Sequence, residues 1–118
     1  MREIRFRAWD PKSKRMFVPF ELKQKLNQRL GTFDDDIILL QYTGLKDKNR
    51  IEIYEGDIVK YSAFNEQKEL QNYINPIFWE QNFASFSVGN EHSFWALSTC
   101  EDVEVIGNIY ENPELLKK

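Results

Sequence analysis

The stretch QYTGLKDKNRIEIYEGDIV, residues 41–59, decides the fold. It contains a glycine at Gly44, a charged reversal at 46–50 and then YEGDIV, in which the pair Gly56–Asp57 opens an apolar strand. Isolated glycines within strand patterns usually supply a backbone shape at a turn or bulge. A phosphate-binding loop would need several closely spaced glycines. We therefore predict that this segment forms the corner of a small barrel and not a ligand site.

Outward from this corner, the N-terminal segment EIRFRAW (3–9) alternates strictly. Such alternation is typical of a strand with one covered face. The predicted strand directs Ile4, Phe6 and Ala8 to one side, and Arg5, Arg7 and Trp9 to the other.

Other strand-like runs recur about ten residues apart. They lie at 15–20, 34–44, 51–62, 76–89 (a hairpin about Asn82), 93–98 and 102–110, the last broken by Gly107. The continuous apolar run within 34–44 predicts a core strand that is covered on both faces. Many short strands indicate an all-β barrel or sandwich, in a single domain that covers residues 1–118.

Two segments have helical spacing instead, 21–31 and 65–75. Asn65 stands where the second helix would have its N-cap. A third short helix is predicted at the C-terminus, with Asn112 as N-cap and Pro113 at the first helical position. The fold class predicted from these patterns is mostly β, with one or two short added helices.

The composition is that of a globular cytosolic domain. Of the 118 residues 42% are hydrophobic and 14% aromatic, and no apolar run approaches the ~20 residues that cross a bilayer. The one cysteine excludes an internal disulfide framework and fits a reducing compartment. Residues 1–50 carry a charge of +5 and residues 51–118 a charge of −8. This asymmetry favours nucleic acid, an acidic partner or another copy of the chain as partner, unless the fold mixes the charges over its surface.

The residues that could carry catalysis or bind a metal are few. A Cys100–His92 pair is conceivable, but acidic neighbours raise a thiol pKa and disfavour a nucleophile. The acidic run 34–36 would point to alternating sides of a strand and would not converge on one cation. We therefore expect no catalytic residues, no metal, no cofactor and no enzymatic activity.

A nucleic-acid surface is the better-supported binding site. Basic residues interleaved with exposed aromatics bind phosphates and stack on bases. The candidates are Arg5, Arg7, Trp9, Lys12, Lys14 and Arg15. In the alternative interpretation Trp9 covers a second core and the arginines pair with the acidic half. The overall pI of about 5.2 argues against nucleic acid.

Three blocks of the sequence resemble the YopX-like family of bacteriophage and prophage proteins. They are IRFRAWD (4–10), LQYTGLKDKNRIEIYEGDIV (40–59) and VEVIGNIYENPELL (103–116), with a less distinctive insert at about 60–102. The resemblance implies an SH3-like β-barrel in a bacterial cytoplasm, and it supplies no reaction. Its shared motifs look structural: Gly44, Gly56, Asp57, Gly107, Asn112 and Pro113.

One position departs from the family pattern. Arg50 stands where the family's Asp-Lys-Asn-Gly turn has its glycine, so we expect Asn49 to adopt the left-handed conformation instead.

The sequence predicts a phage- or prophage-derived binding or self-assembly module, and a homo-oligomer is the favoured form. A nucleic-acid-binding accessory protein is the alternative, and a phage or host protein could also be the partner. No membrane partner is expected.

Overall fold

A computed structural model of the protein describes residues 5–19, 37–90 and 93–117. The fold is mostly β, and the described residues contain nine strands in two antiparallel sheets and two short 3-10 helices. No helix in the described residues is long and apolar enough to span a membrane. The predicted helix at 21–31 lies outside the described residues.

The first sheet has four strands in the order β2-β1-β3-β4. They are β1 Phe6–Asp10, β2 Arg15–Phe17, β3 Ile38–Lys46 and β4 Glu52–Tyr54. The segment predicted to be covered on both faces is β3, and this prediction is wrong because Leu39 is 55% exposed. Antiparallel sheets commonly leave one face to solvent.

The second sheet has five strands in the order β8-β7-β6-β5-β9. They are β5 Asp57–Phe64, β6 Leu70–Glu80, β7 Ser85–Gly89, β8 Phe94–Ala96 and β9 Glu101–Asn108. The 3-10 helix Leu97–Thr99 carries the chain from one edge strand to the other, so that the sheet curls into a half-barrel. Side chains from three of its strands, from the 3-10 helix and from β4 fill the core: Ile53, Val59, Tyr61, Ala63, Ile77, Val88 and Leu97.

The corner between β4 and β5 has the predicted form. Gly56 has φ +83°, a conformation that favours glycine, and a Cβ atom there would lie a tight 3.2 Å from the Tyr110 ring. The Asp57 carboxylate accepts a 2.8 Å hydrogen bond from the backbone N–H of Tyr54. The chain passes from one sheet to the other at this point.

Gly44, with φ +87°, lies where the pairing between β3 and β4 is irregular, between Tyr42 and Lys46.

The predicted helix at 65–75 is wrong, since this segment is a turn followed by β6. The side chain of Asn65 accepts hydrogen bonds from the N–H groups of Gln67 and Glu69, and its own N–H donates to the Glu69 carbonyl. Asn65 therefore closes a β-hairpin turn instead of capping a helix. Tyr73 stacks on Tyr61 across β5 and β6 at 5.5 Å, and this burial favours the strand.

The C-terminal segment forms a 3-10 turn, Pro113–Leu116, with proline at its start as predicted. Asn112 does not cap this turn with its side chain. Its carboxamide oxygen accepts the N–H of Asn108 at 3.2 Å instead. A side chain at Gly107 would lie 2.7 Å from that oxygen, so the glycine leaves room for the Asn112 contact.

The charged reversal between β3 and β4 is organised by Asp47. One carboxylate oxygen accepts the N–H groups of Asn49 and Ile51 at 2.8 and 2.9 Å. Arg50 has φ +66° and Asn49 has no positive φ, so the expectation for Asn49 is wrong. The N–H of Asn49 is already fixed on Asp47, and the left-handed residue is the one at the family's glycine position.

The same carboxylate joins this turn to β9. Its second oxygen accepts the N–H of Val105 at 2.9 Å, while the N–H of Lys48 donates to the Val103 carbonyl at 2.8 Å. Burial by itself would raise the pKa of Asp47, but the three backbone donors and the Lys48 charge outweigh it and hold the pKa below 3.8. Asp47 is thus a link between the first sheet and the edge of the second.

We expect Asp47→Asn to lower the free energy of unfolding by about 1–3 kcal/mol at pH 7, because an amide cannot satisfy donors on both of its ends. The folded-state pKa is depressed, so this stabilisation is complete above the unfolded pKa and is lost as the pH falls through the folded pKa. Urea unfolding at pH 7 and at progressively lower pH should show the difference between wild type and variant shrinking in acid.

Asp102→Asn is the matched control, because Asp102 is exposed and asparagine tolerates its φ of +50°. It should change stability little at any pH. A pH-independent gap for Asp47→Asn would show that the loss comes from packing and not from the ionised carboxylate.

Candidate interaction surfaces

The structure separates the predicted basic residues into an inward pair and an exposed group. The Arg5 guanidinium forms an ion pair of 2.5 Å with Glu52 and lies 5.3 Å from the ring centre of Tyr42. Arg7 forms an ion pair with Asp57 and lies 4.7 Å from the ring centre of Tyr54. Both arginines therefore make contacts within the fold, as the alternative interpretation expects.

Trp9 is also part of the packing. Its side chain is only 8% exposed and stacks on Tyr110 with 5.5 Å between ring centres. This position on the β1 strand makes the ring unavailable for stacking on a nucleobase. Trp9 instead attaches the first sheet to the segment that follows β9.

The remaining three predicted residues lie at the exposed turn between β1 and β2. Lys12, Lys14 and Arg15 are all exposed. The guanidinium of Arg15 lies 5.0 Å from the ring centre of Phe17. The turn is shaped by Asp10, whose carboxylate accepts the N–H of Lys12 at 3.0 Å. This turn offers positive charge but no adjacent exposed tryptophan or tyrosine among its own residues.

The pair between Arg7 and Asp57 has the least solvent access of the ion pairs in the described residues. The side chain of Asp57 is 2% exposed and that of Arg7 is 15% exposed. Burial raises the pKa of Asp57, and the Arg7 charge and the Tyr54 N–H act against that rise. Burial and the nearby Glu52 also raise the pKa of the Tyr54 phenol to about 12, so it stays neutral at physiological pH. The cluster is a polar joint between the two sheets.

Cys100 lacks the environment of a nucleophile. Burial raises the pKa of its thiol to about 11, so the thiolate form is scarce at neutral pH. His92 and the acidic run 34–36 lie outside the described residues. Within the described ranges, no three His, Cys, Asp or Glu side chains are grouped so that they could hold a metal ion.

A surface that the sequence analysis did not identify lies along β6. The strand pairs with β5 through its first half, Leu70 to Pro76, and with β7 through its second half, Ile77 to Glu80. On the side away from β5, its first half pairs with no other described strand. The sequence signal was the Asn65 turn, which we interpreted as a helix cap.

A groove opens beside this part of β6. Its volume is about 640 Å³, and it is lined by aromatic and amide side chains that include Phe64, Tyr73, Asn75, Phe94 and Trp95. The Trp95 indole donates to the Phe64 carbonyl at 3.0 Å and packs on Tyr73 at 4.7 Å. The groove therefore has an ordered aromatic floor.

The match to a family model covers residues 5–117, almost the whole chain. The chain belongs to the YopX protein family. It is also similar to the crystal structure of protein EF1440 from Enterococcus faecalis, with 27% sequence identity and a TM-score of 0.59. The match covers 99% of this chain and 100% of that one. A search of curated proteins finds no match.

We expect Arg7→Leu to lower the free energy of unfolding by about 3–5 kcal/mol, because it leaves the Asp57 carboxylate buried without its partner. Arg5→Leu is the matched control, since the Arg5–Glu52 pair is partly exposed and should contribute less than about 1 kcal/mol. Urea unfolding of the two variants measures the difference. Equal losses would contradict the structural role of the Arg7–Asp57 pair.

Proposed function

We propose that this YopX-family protein is a non-enzymatic module that acts by self-association. The observation that carries the proposal is a set of large apolar side chains on the β5–β6 hairpin. Phe64, Leu70 and Ile74 are 57%, 50% and 46% exposed. Exposed apolar side chains that adjoin one another are typical of protein interfaces.

Charge complementarity between copies contributes less to this proposal than the sequence suggested. Three ion pairs join the basic half of the chain to its acidic half within one molecule: Arg5–Glu52, Arg7–Asp57 and Lys48–Glu104. Those charges are already compensated in the monomer. The apolar hairpin is the better candidate for the interface, and its association should withstand salt because burial of apolar surface is not screened.

The non-enzymatic part of the proposal is supported by the chemistry of the described residues. The Cys100 thiol stays protonated at neutral pH, and the buried Asp47 and Asp57 carboxylates are engaged in structural hydrogen bonds. We infer a phage or prophage origin and a bacterial cytoplasmic location from the family resemblance. We likewise propose that the curled second sheet is a variant of an SH3-like barrel.

Light scattering behind a sizing column should give a discrete oligomer whose mass is the same at low and high salt. The salt series separates an apolar contact from a charged one, because only the second is screened. A monomer mass at every concentration would overturn the proposal. An oligomer that dissociates as salt rises would show that charged residues, and not the apolar hairpin, form the interface.

The second candidate function is nucleic-acid binding at the turn between β1 and β2. It is favoured by the exposure of Lys12 and Lys14 on one short turn and of Arg15 at the start of β2. Three phosphate contacts give a weak, salt-dependent affinity, with a slope of log K against log salt of roughly −2 to −3.

Titration of labelled DNA and RNA at two salt concentrations tests this candidate. The charge-removing variant is Lys12→Gln with Lys14→Gln, and the control is Lys117→Gln at the opposite end of the chain. Binding that is lost only in the first variant would support the candidate. A flat baseline for the wild type at low salt would dismiss it.

A further inference from the structure

We propose that the first half of β6 pairs with the same segment of a second copy, antiparallel, about a twofold axis at Asn72. This inference rests on the proposed self-association and names the surface that performs it. An exposed strand edge is a template for another strand, and natural proteins usually block such an edge with charge, proline or a bulge. Residues 70–75 read LQNYIN and contain none of these devices.

The backbone groups on this edge point outward at alternate residues. The Asn65 N–H donates to the Glu69 carbonyl at 2.9 Å, which makes that pair a hydrogen-bonded one. Hydrogen-bonded and non-hydrogen-bonded pairs alternate along an antiparallel ladder. In the register that joins Phe64 to Leu70, the N–H and C=O groups of Leu70, Asn72 and Ile74 therefore face away from β5.

The same three residues make the edge complementary to itself. A twofold interface requires the same patch on both copies. With Asn72 opposite its own copy, Leu70 lies opposite Ile74 of the second copy, and the reverse pair follows by symmetry. The outward backbone groups of all three residues then meet their partners in hydrogen-bonded pairs.

The side chains of Leu70 and Ile74 are half exposed in the monomer, at 50% and 46%. They lie on one face of β6, and Phe64 is the β5 neighbour of Leu70 on that face. Pairing would cover Leu70 against Ile74 of the second copy and continue the five-stranded sheet across the axis. Pro76, which has no N–H to donate, would end the pairing at each side.

Charge gives a further reason to choose a second copy as occupant. Neither strand of the proposed pair carries a charge between Leu70 and Asn75, so no like charges lie directly opposite each other across the axis.

A cysteine placed on the twofold axis tests the register directly. In a hydrogen-bonded antiparallel pair the two Cα atoms lie about 5.5 Å apart, within the range that a disulfide spans. In a Cys100→Ser background, Asn72→Cys should therefore form a disulfide-linked dimer under mild oxidation. Ile74→Cys is the control, because its own copy lies four residues away along the partner strand, about 13 Å or more.

Charge variants test the same surface without cross-linking. Asn72→Lys places two lysines opposite each other and should raise the dissociation constant of the dimer at least about tenfold. Ile51→Lys is the matched control: Ile51 is 50% exposed but lies in the β3–β4 turn, away from this edge. Unfolding curves of both variants show whether each monomer remains folded.

The outcomes distinguish this inference from the proposed function. A dimer that cross-links through residue 72 and dissociates on Asn72→Lys supports both. If the wild type is a dimer but Asn72→Cys forms no cross-link and Asn72→Lys does not dissociate it, self-association stands and the proposed β6 interface is wrong. A wild-type monomer overturns both, and the edge would then be open to an extended segment of a different protein.

Discussion

The buried ion pair between Arg7 and Asp57 is the contact on which the rest of the structure depends. Arg7 belongs to β1 of the first sheet, and Asp57 begins β5 of the second, directly after the Gly56 corner. The aspartate also accepts the N–H of Tyr54, so one carboxylate fixes both the corner and the approach of the two sheets. A buried pair of this kind adds little net stability relative to an apolar pair, but the removal of one partner is costly. We therefore infer that the pair contributes by specifying one arrangement of the two sheets.

A second polar contact completes the joint on the other side of the corner. The Asp47 carboxylate organises the turn between β3 and β4 and also accepts the N–H of Val105 on β9. Part of the β9 edge is covered in this way, and an edge that is covered does not recruit another strand. The first half of β6 pairs with β5 alone among the described strands, so its other edge has no such backbone partner. The outer edge of β9 thus has hydrogen-bond partners from the β3–β4 turn, whereas the outer edge of the first half of β6 pairs with no described strand.

Much of the β architecture could be predicted from local patterns. The hairpin about Asn82 and the corner at Gly56 depend on turn residues that act within a few positions. The predicted break of the last strand at Gly107 is wrong, because β9 runs through Gly107 to Asn108. The prediction for 65–75 was wrong because Asn65 suits a helix N-cap and a hairpin turn equally well, and because Leu70, Tyr73 and Ile74 recur at helical spacing. In the strand, Tyr73 lies on the opposite face from Leu70 and Ile74. The pairing with β5, which buries Tyr73 against Tyr61, decided between helix and strand. A short stretch of sequence does not reveal which other strand it will pair with.

The sequence by itself determined the mostly β class, the positions of most turns and the family, since each depends on residue types at fixed short spacings. Only the tertiary structure decided whether the predicted binding residues are exposed or make contacts within the fold. Arg5, Arg7 and Trp9 alternate as they would on a nucleic-acid surface, yet they lie against Glu52, Asp57 and Tyr110, all at least 47 positions away in the chain. Burial and partners at that distance depend on how the two sheets meet. For the same reason, the uncovered edge of β6 could be recognised only after its neighbours were in place.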